Sequence, residues 1–244
     1  MESDAPHEIE TPVGPGLRLA HGDWPAASVQ SDDMDEPALP SMPELFNTTA
    51  PTPKTDDGAL SPSDLGGAKA LPGDGLDEET AKQFGTLVHA LLESPTAGRR
   101  AVANSELTDA LLNEAKQQAN RVLADPALHW LFTDDVLAEV PVTATLGHGR
   151  IHGTIDRLHI TPTTVHIVDF KTNRAVPERP EHTPEGVLRQ MGAYAHAIAQ
   201  IYPDRMLHLS ILWTHTGVLM SIPHDIVTDA LGRTPYLDDA DLAT

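Results

Sequence analysis

The chain has 244 residues, no cysteine and a formal net charge of -20. That length accommodates one good-sized domain with a buried core, or such a domain plus a tail. Without cysteine there are no disulfides, thiolate zinc sites, iron–sulfur clusters or cysteine nucleophiles, which suits a cytoplasmic protein.

The charge is unevenly spread. Residues 1–79 hold 17 of the 36 acidic residues and only 3 of the 16 basic ones, so whole-chain acidity says little about what the remainder binds. Proline recurs through the same stretch, and S-D-D-M-D-E-P (31–37) is typical of its texture. Few large apolar side chains are available there to offset the entropy of ordering. Residues 1–59 are therefore expected to form a disordered acidic, Pro-rich linker or tail. The acidic N-terminus lacks the apolar core of a secretory signal, and no apolar run is long enough to span a bilayer. L-S-P-S-D-L-G-G-A-K-A-L, residues 60–71, is apolar enough to dock on the domain that follows.

From Leu76 the texture changes. L-D-E-E-T-A-K-Q-F-G-T-L-V-H-A-L-L-E opens on acidic residues, which favour a helix N-terminus, and Phe84, Leu87, Val88, Leu91 and Leu92 recur at helical spacing. Ser94-Pro95 is expected to close that helix. A second helix is predicted over 105–123 and a short one over 127–132. Strands follow at 136–146, 150–160 and 164–171, rich in β-branched residues. Residues 184–202 read as a helix with Pro184 near its first turn, and 207–215 and 218–222 as closing strands around Thr216-Gly217. The order implies an α/β domain with a central mixed sheet flanked by helices over residues 60–225, then a C-terminal tail, 226–244.

Asp156 and Asp169 stand out, because aspartate is a poor strand former. Thr161-Pro162-Thr163-Thr164 is a credible turn. A tight turn there pairs Ile160 with Val165 and sets Asp156 opposite Asp169 on one face. Opposed residues have Cβ atoms about 4.5–5.5 Å apart, so two ionised carboxylates would repel. A divalent cation, Mg²⁺ in particular, relieves that repulsion, and Lys171 emerges on the same face to act on a phosphate. The alternative is a solvated pair, one member satisfied by Arg157 or Arg174.

Four blocks together resemble the RecB-like branch of the PD-(D/E)xK nucleases, and most of all the nuclease domains of AddA-type helicase–nucleases. These are G-T-L-V-H-A-L-L-E (85–93), G-T-I-D-R-L (153–158), V-D-F-K-T (168–172) and Q-M-G-A-Y (190–194). The resemblance covers about residues 60–225 and implies a restriction-endonuclease-like core. It implies His89, Asp156, Asp169 and the main-chain carbonyl of Phe170 as metal ligands, with Lys171 orienting water or stabilising the phosphate. Glu139 matches an acidic position on the preceding strand. Gln190 and Tyr194, one helical turn apart, would face the site or DNA, and Arg174 is a candidate phosphate contact.

The resemblance further implies a Mg²⁺-dependent deoxyribonuclease, an exonuclease of double-strand-break resection, with Mn²⁺ able to substitute. Its expected partners are DNA, as single strands or linear duplex ends, a helicase motor and an AddB-type subunit, in the cytoplasm at the nucleoid and not at a membrane. AddA-type chains carry a motor with a G-x-x-x-x-G-K-[ST] loop, which does not occur here. AddB-type relatives carry cysteines for an iron–sulfur cluster, which this composition excludes. Two other readings stand beside this one: a non-catalytic DNA-binding or assembly module, and a stand-alone RecB-like exonuclease. His148, His152, His159 and His166 cluster without a zinc-type spacing, and Arg99, Arg100 and Arg179 read as phosphate contacts or as solvated charge.

Overall fold

A computed structural model describes residues 7–11, 13–18, 60–71, 75–147 and 149–234. The chain divides into two compact units, Met1–Thr52 and Pro53–Thr244. In the first, β1 (His7–Thr11) and β2 (Gly14–Arg18) form an antiparallel ribbon, an element absent from the sequence reading of residues 1–59.

The second unit begins its regular structure with α1 (Glu78–Glu93), where Asp77 caps the N-terminus by accepting from the Thr80 N–H at 3.0 Å. Ser94 does close α1, but its hydroxyl also accepts from the Ala97 N–H, and a further helix, α2 (Pro95–Ala103), starts at once. The proline that suggested a stop sits at the first helical position, where its missing N–H costs nothing. Next come α3 (Asp109–Ala124) and a 3-10 turn at His129–Phe132. The strands are β3 (Val136–Leu146), β4 (Gly149–Ile160) and β5 (Thr164–Lys171), then α4 (Glu185–Ile201), β6 (Met206–Trp213), β7 (Val218–Ile222) and α5 (His224–Gly232).

The strands form one mixed sheet in the order β3-β4-β5-β6-β7, antiparallel except for the parallel β5–β6 pair that α4 connects. The β4–β5 register runs from Ile160↔Val165 to Arg157↔Val168, as the turn predicts, and Thr161 N–H and Oγ1 close that turn onto Thr164. Each sheet face is covered. On one, α4 and α5 pack Met191, Ile198 and Val227 onto Ile155, Ile167 and Ile211. On the other, α1 and α3 pack Leu87, Val88 and Val122 onto Val168, Phe170 and Leu212. Burying each such side chain is worth about 1.5–3 kcal/mol.

Residues 60–71 do dock. Leu60 exchanges backbone hydrogen bonds with β4, from its N–H to Arg150 O at 2.8 Å and from the His152 N–H to its carbonyl at 3.0 Å. Leu65 is buried beside Ile151, Ala193 and Leu231. A Cβ on Gly153 would meet the Pro62 ring at 2.8 Å, so this close approach requires glycine. The stretch 226–244, expected as a tail, instead begins within α5, whose Val227, Ala230 and Leu231 are buried. Gly192 lets α4 and α5 come together, its ideal Cβ falling 2.6 Å from Val227 O.

Candidate active site

The site forms where β4 parts from both of its neighbours. The β3–β4 ladder pairs Ala138 with Arg157 and Val140 with Ile155, and skips Glu139 and Asp156 between them. Glu139 has φ of 49°, the left-handed region, which a non-glycine residue enters at a cost of about 1–2 kcal/mol. On the other side the β4–β5 pairing ends at Arg157↔Val168. The Phe170 N–H, freed from the ladder, donates to Asp156 Oδ2. Alternate residues of a strand address opposite edges. The Lys171 carbonyl accepts from the Thr214 N–H at 2.9 Å on the β6 side. The Phe170 carbonyl therefore leaves β5 toward β4, the edge of the site.

α1 delivers His89, whose Nδ1 lies 2.9 Å from Asp156 Oδ1 and whose ring meets the Phe170 ring edge-on at 5.8 Å between centroids. His89, Glu139 and Asp156 offer ligand atoms all within 4.8 Å of one another, and they are the group of this kind among the described residues. A cavity of about 460 Å³ opens beside them, lined by Gly85, Thr86, His89, Ala90, Glu93 and Glu139. Glu93 lies four residues after His89 and so on the same helix face.

Asp169, expected as a second cation ligand, meets Lys171 and Gln190. It is buried, its Oδ2 ion-paired with Lys171 Nζ and its Oδ1 accepting from Gln190 Nε2 at 3.1 Å. Gln190 Oε1 accepts from Lys171 Nζ at 3.0 Å, and Gln190 Nε2 also reaches Tyr194 Oη at 3.1 Å. Tyr194 in turn donates to the Thr154 carbonyl at 2.6 Å. Gln190 and Tyr194 thus reach Asp169, Lys171 and Thr154 from α4.

The charges divide accordingly. Burial pushes Asp156 up, but His89, Lys171 and the Phe170 N–H together outweigh it and hold the carboxyl below its ordinary range. Burial dominates at Asp169; Lys171 opposes it, the Asp156 charge adds to it, and the net shift is upward. Burial pulls His89 down, yet the charge and hydrogen bond of Asp156 raise it overall. Burial and then the neighbouring Asp156 raise Glu139. Desolvation raises the Tyr194 hydroxyl far above its usual range, so it remains a donor.

Both guanidiniums are engaged elsewhere than the alternative reading required, although the Arg157 charge is felt at Asp156. Arg157 donates to Leu92 O at 2.6 Å, and Arg174 is ion-paired with Glu114 at 2.7 Å. The other histidines are elsewhere: His159 pairs with Asp135 at 3.2 Å, His152 with Thr143 at 2.9 Å, and His166 stacks on His208 at 4.5 Å. His148 lies outside the described residues.

The sequence model of the PD-(D/E)XK nuclease superfamily matches residues 64–216. Superposition on the crystal structure of SSO0001 covers 82% of this chain and 83% of that one at 13% identity with a TM-score of 0.35. Among curated proteins none matches the chain.

Proposed function

The chain belongs to the PD-(D/E)XK nuclease superfamily, and from that premise we propose that it is a metal-dependent deoxyribonuclease, the nuclease part of an AddA-type helicase–nuclease in double-strand-break resection. The observation that carries the chemistry is the convergence of His89, Glu139 and Asp156 within 4.8 Å, beside a lysine held by Asp169 and Gln190. Two carboxylates, an imidazole and the main-chain carbonyl of Phe170 make a donor set suited to Mg²⁺ or Mn²⁺. When bound, such a cation neutralises phosphate charge and makes water a better nucleophile.

The chain's own groups do the rest. Asp156, held below its ordinary range against burial by the charge of His89, its hydrogen bonds and Lys171, presents an anionic donor. The Lys171 ammonium has three donors. Its contacts with Asp169 and Gln190 leave one for a phosphate oxygen or the attacking water. A water oxygen bonds to phosphorus as the bond to the 3′ oxygen breaks. The water's proton passes to solvent, the leaving oxygen takes one up, and a 5′-phosphate remains. Asp169, implied as a ligand by the family resemblance, serves here to fix Lys171. The substrate is DNA, as single strands or linear duplex ends, met in the cytoplasm with a helicase motor and an AddB-type subunit. Among the described residues no helix is long and apolar enough to cross a membrane.

Cleavage of end-labelled linear DNA, single- and double-stranded, with Mg²⁺ or Mn²⁺ tests this, with EDTA and Asp169→Ala as controls. Metal-dependent cutting that vanishes in the variant is expected. Absence of both cutting and calorimetric metal binding would refute the catalytic reading and leave a DNA-binding or assembly module.

A further inference from the structure

Arg157 is 3% exposed, and the chemistry above makes no use of its guanidinium. A buried cation persists only where partners repay its lost hydration. Here Nη2 donates to Leu92 O at 2.6 Å, and the guanidinium carbon lies 5.1 Å from the Phe132 ring centroid and 5.8 Å from that of Phe170. Burial lowers its pKa and outweighs the nearby carboxylates of Glu139, Asp156 and Glu93, which favour its charge. Both anchors lead to His89. Leu92 is three residues beyond it in the last turn of α1, where carbonyls lack intrahelical partners. Phe170 holds the edge of its ring.

We infer that Arg157 is a positioning residue, one that ties the last turn of α1 and the Phe170 ring to β4 and so keeps His89 within reach of Asp156. The donor set is then assembled before a cation arrives. The inference rests on the reading of His89, Glu139 and Asp156 as a metal site. Arginine suits the task because its planar fork lies against rings while still donating at its edge, which a lysine ammonium cannot reproduce.

Calorimetric titration of the full chain with Mn²⁺ tests it. Arg157→Lys keeps the charge and loses the fork, and about tenfold weaker binding is expected, the lower end of what loss of a ligand-orienting contact costs. Arg157→Met should lose at least as much. In a His89→Ala background Arg157→Lys should cost nothing further, because the ligand it positions is gone. A general loss of packing would instead weaken binding equally in both backgrounds, and that result overturns the inference. So does wild-type affinity in Arg157→Lys. If Arg157→Met fails to fold by circular dichroism, Arg157→Lys decides. Failure of the wild type to take up Mn²⁺ strikes the metal site itself, and the inference falls with it; wild-type uptake with unaltered variants strikes the inference alone.

Discussion

Gln190→Leu removes a side chain that touches Asp169, Lys171 and Tyr194 at once. A hydrogen bond to a charged group contributes about 1.5–3 kcal/mol. Gln190 makes two of these, but they are not equally exposed to loss. The Lys171 side chain is 19% exposed and recovers water, whereas Asp169 at 2% cannot. The cost therefore concentrates at Asp169 Oδ1, about 2–3 kcal/mol, with under about 1 kcal/mol more from Tyr194, which keeps its bond to Thr154. A total of about 3 kcal/mol is a large share of the roughly 5–15 kcal/mol that holds a domain folded. Lys171, tethered by Asp169 alone, should lose its aim, and cleavage should slow about hundredfold, the scale of a misplacement near 1 Å. Tyr194→Phe is the control, since it leaves Lys171 untouched; about 1 kcal/mol and less than tenfold in rate are expected. Urea unfolding and a metal-dependent cleavage assay read both quantities. Gln190→Leu unfolding at the wild-type midpoint, or cleaving as fast as Tyr194→Phe, would refute the network.

The two aspartates should fail differently: Asp156→Asn should abolish calorimetric Mn²⁺ binding, whereas Asp169→Asn should retain it within about tenfold while losing cleavage. Glu139→Gly should relieve the left-handed backbone and raise stability by about 1 kcal/mol in urea unfolding while removing a ligand, so stability and metal affinity move in opposite directions. The raised His89 group stabilises the fold fully below its unfolded value of 6.5 and loses that contribution as pH rises through its folded value. A cation requires the neutral ring, so Mn²⁺ affinity should climb across the same interval, by up to about tenfold per pH unit for one displaced proton. Calorimetry at stepped pH should show that slope in the wild type and a flatter one in His89→Ala.

Much of this was legible because it is local. The β4–β5 register follows from Thr161-Pro162 and from alternation, and it survives into the structure pair by pair as far as Arg157↔Val168. The helix carrying His89 follows from its cap and its apolar spacing. What escaped the sequence depends on contacts from distant elements. Pattern alone gives no warning that β4 leaves both neighbours at Asp156, because that parting is set by Glu139 on one side and by the Phe170 N–H on the other. Nor does it show that Asp169 meets Lys171 and Gln190 while Asp156 meets His89, since Gln190 lies 21 residues away from Asp169. α2 was missed because proline ends some helices and begins others, and only the Ser94 hydroxyl decides which.

The two aspartates show how one hairpin yields two chemistries. They differ little in burial, at 5% and 2% exposed, so desolvation alone would raise both. What separates them is the charge and the donors that each one faces. Asp156 faces a broken ladder, and the N–H of Phe170 together with His89 fills both of its oxygens with donors that favour the anion. Asp169 faces α4, where its neighbours are an amide and a lysine that are themselves tied to each other. An anion whose donors are an exchangeable imidazole and a peptide N–H can accept a cation in place of the histidine's proton. Asp169 instead has its two oxygens on Lys171 and Gln190. On the proposed reading, the break in the ladder at Asp156 leaves that carboxylate to a metal while Asp169 holds Lys171.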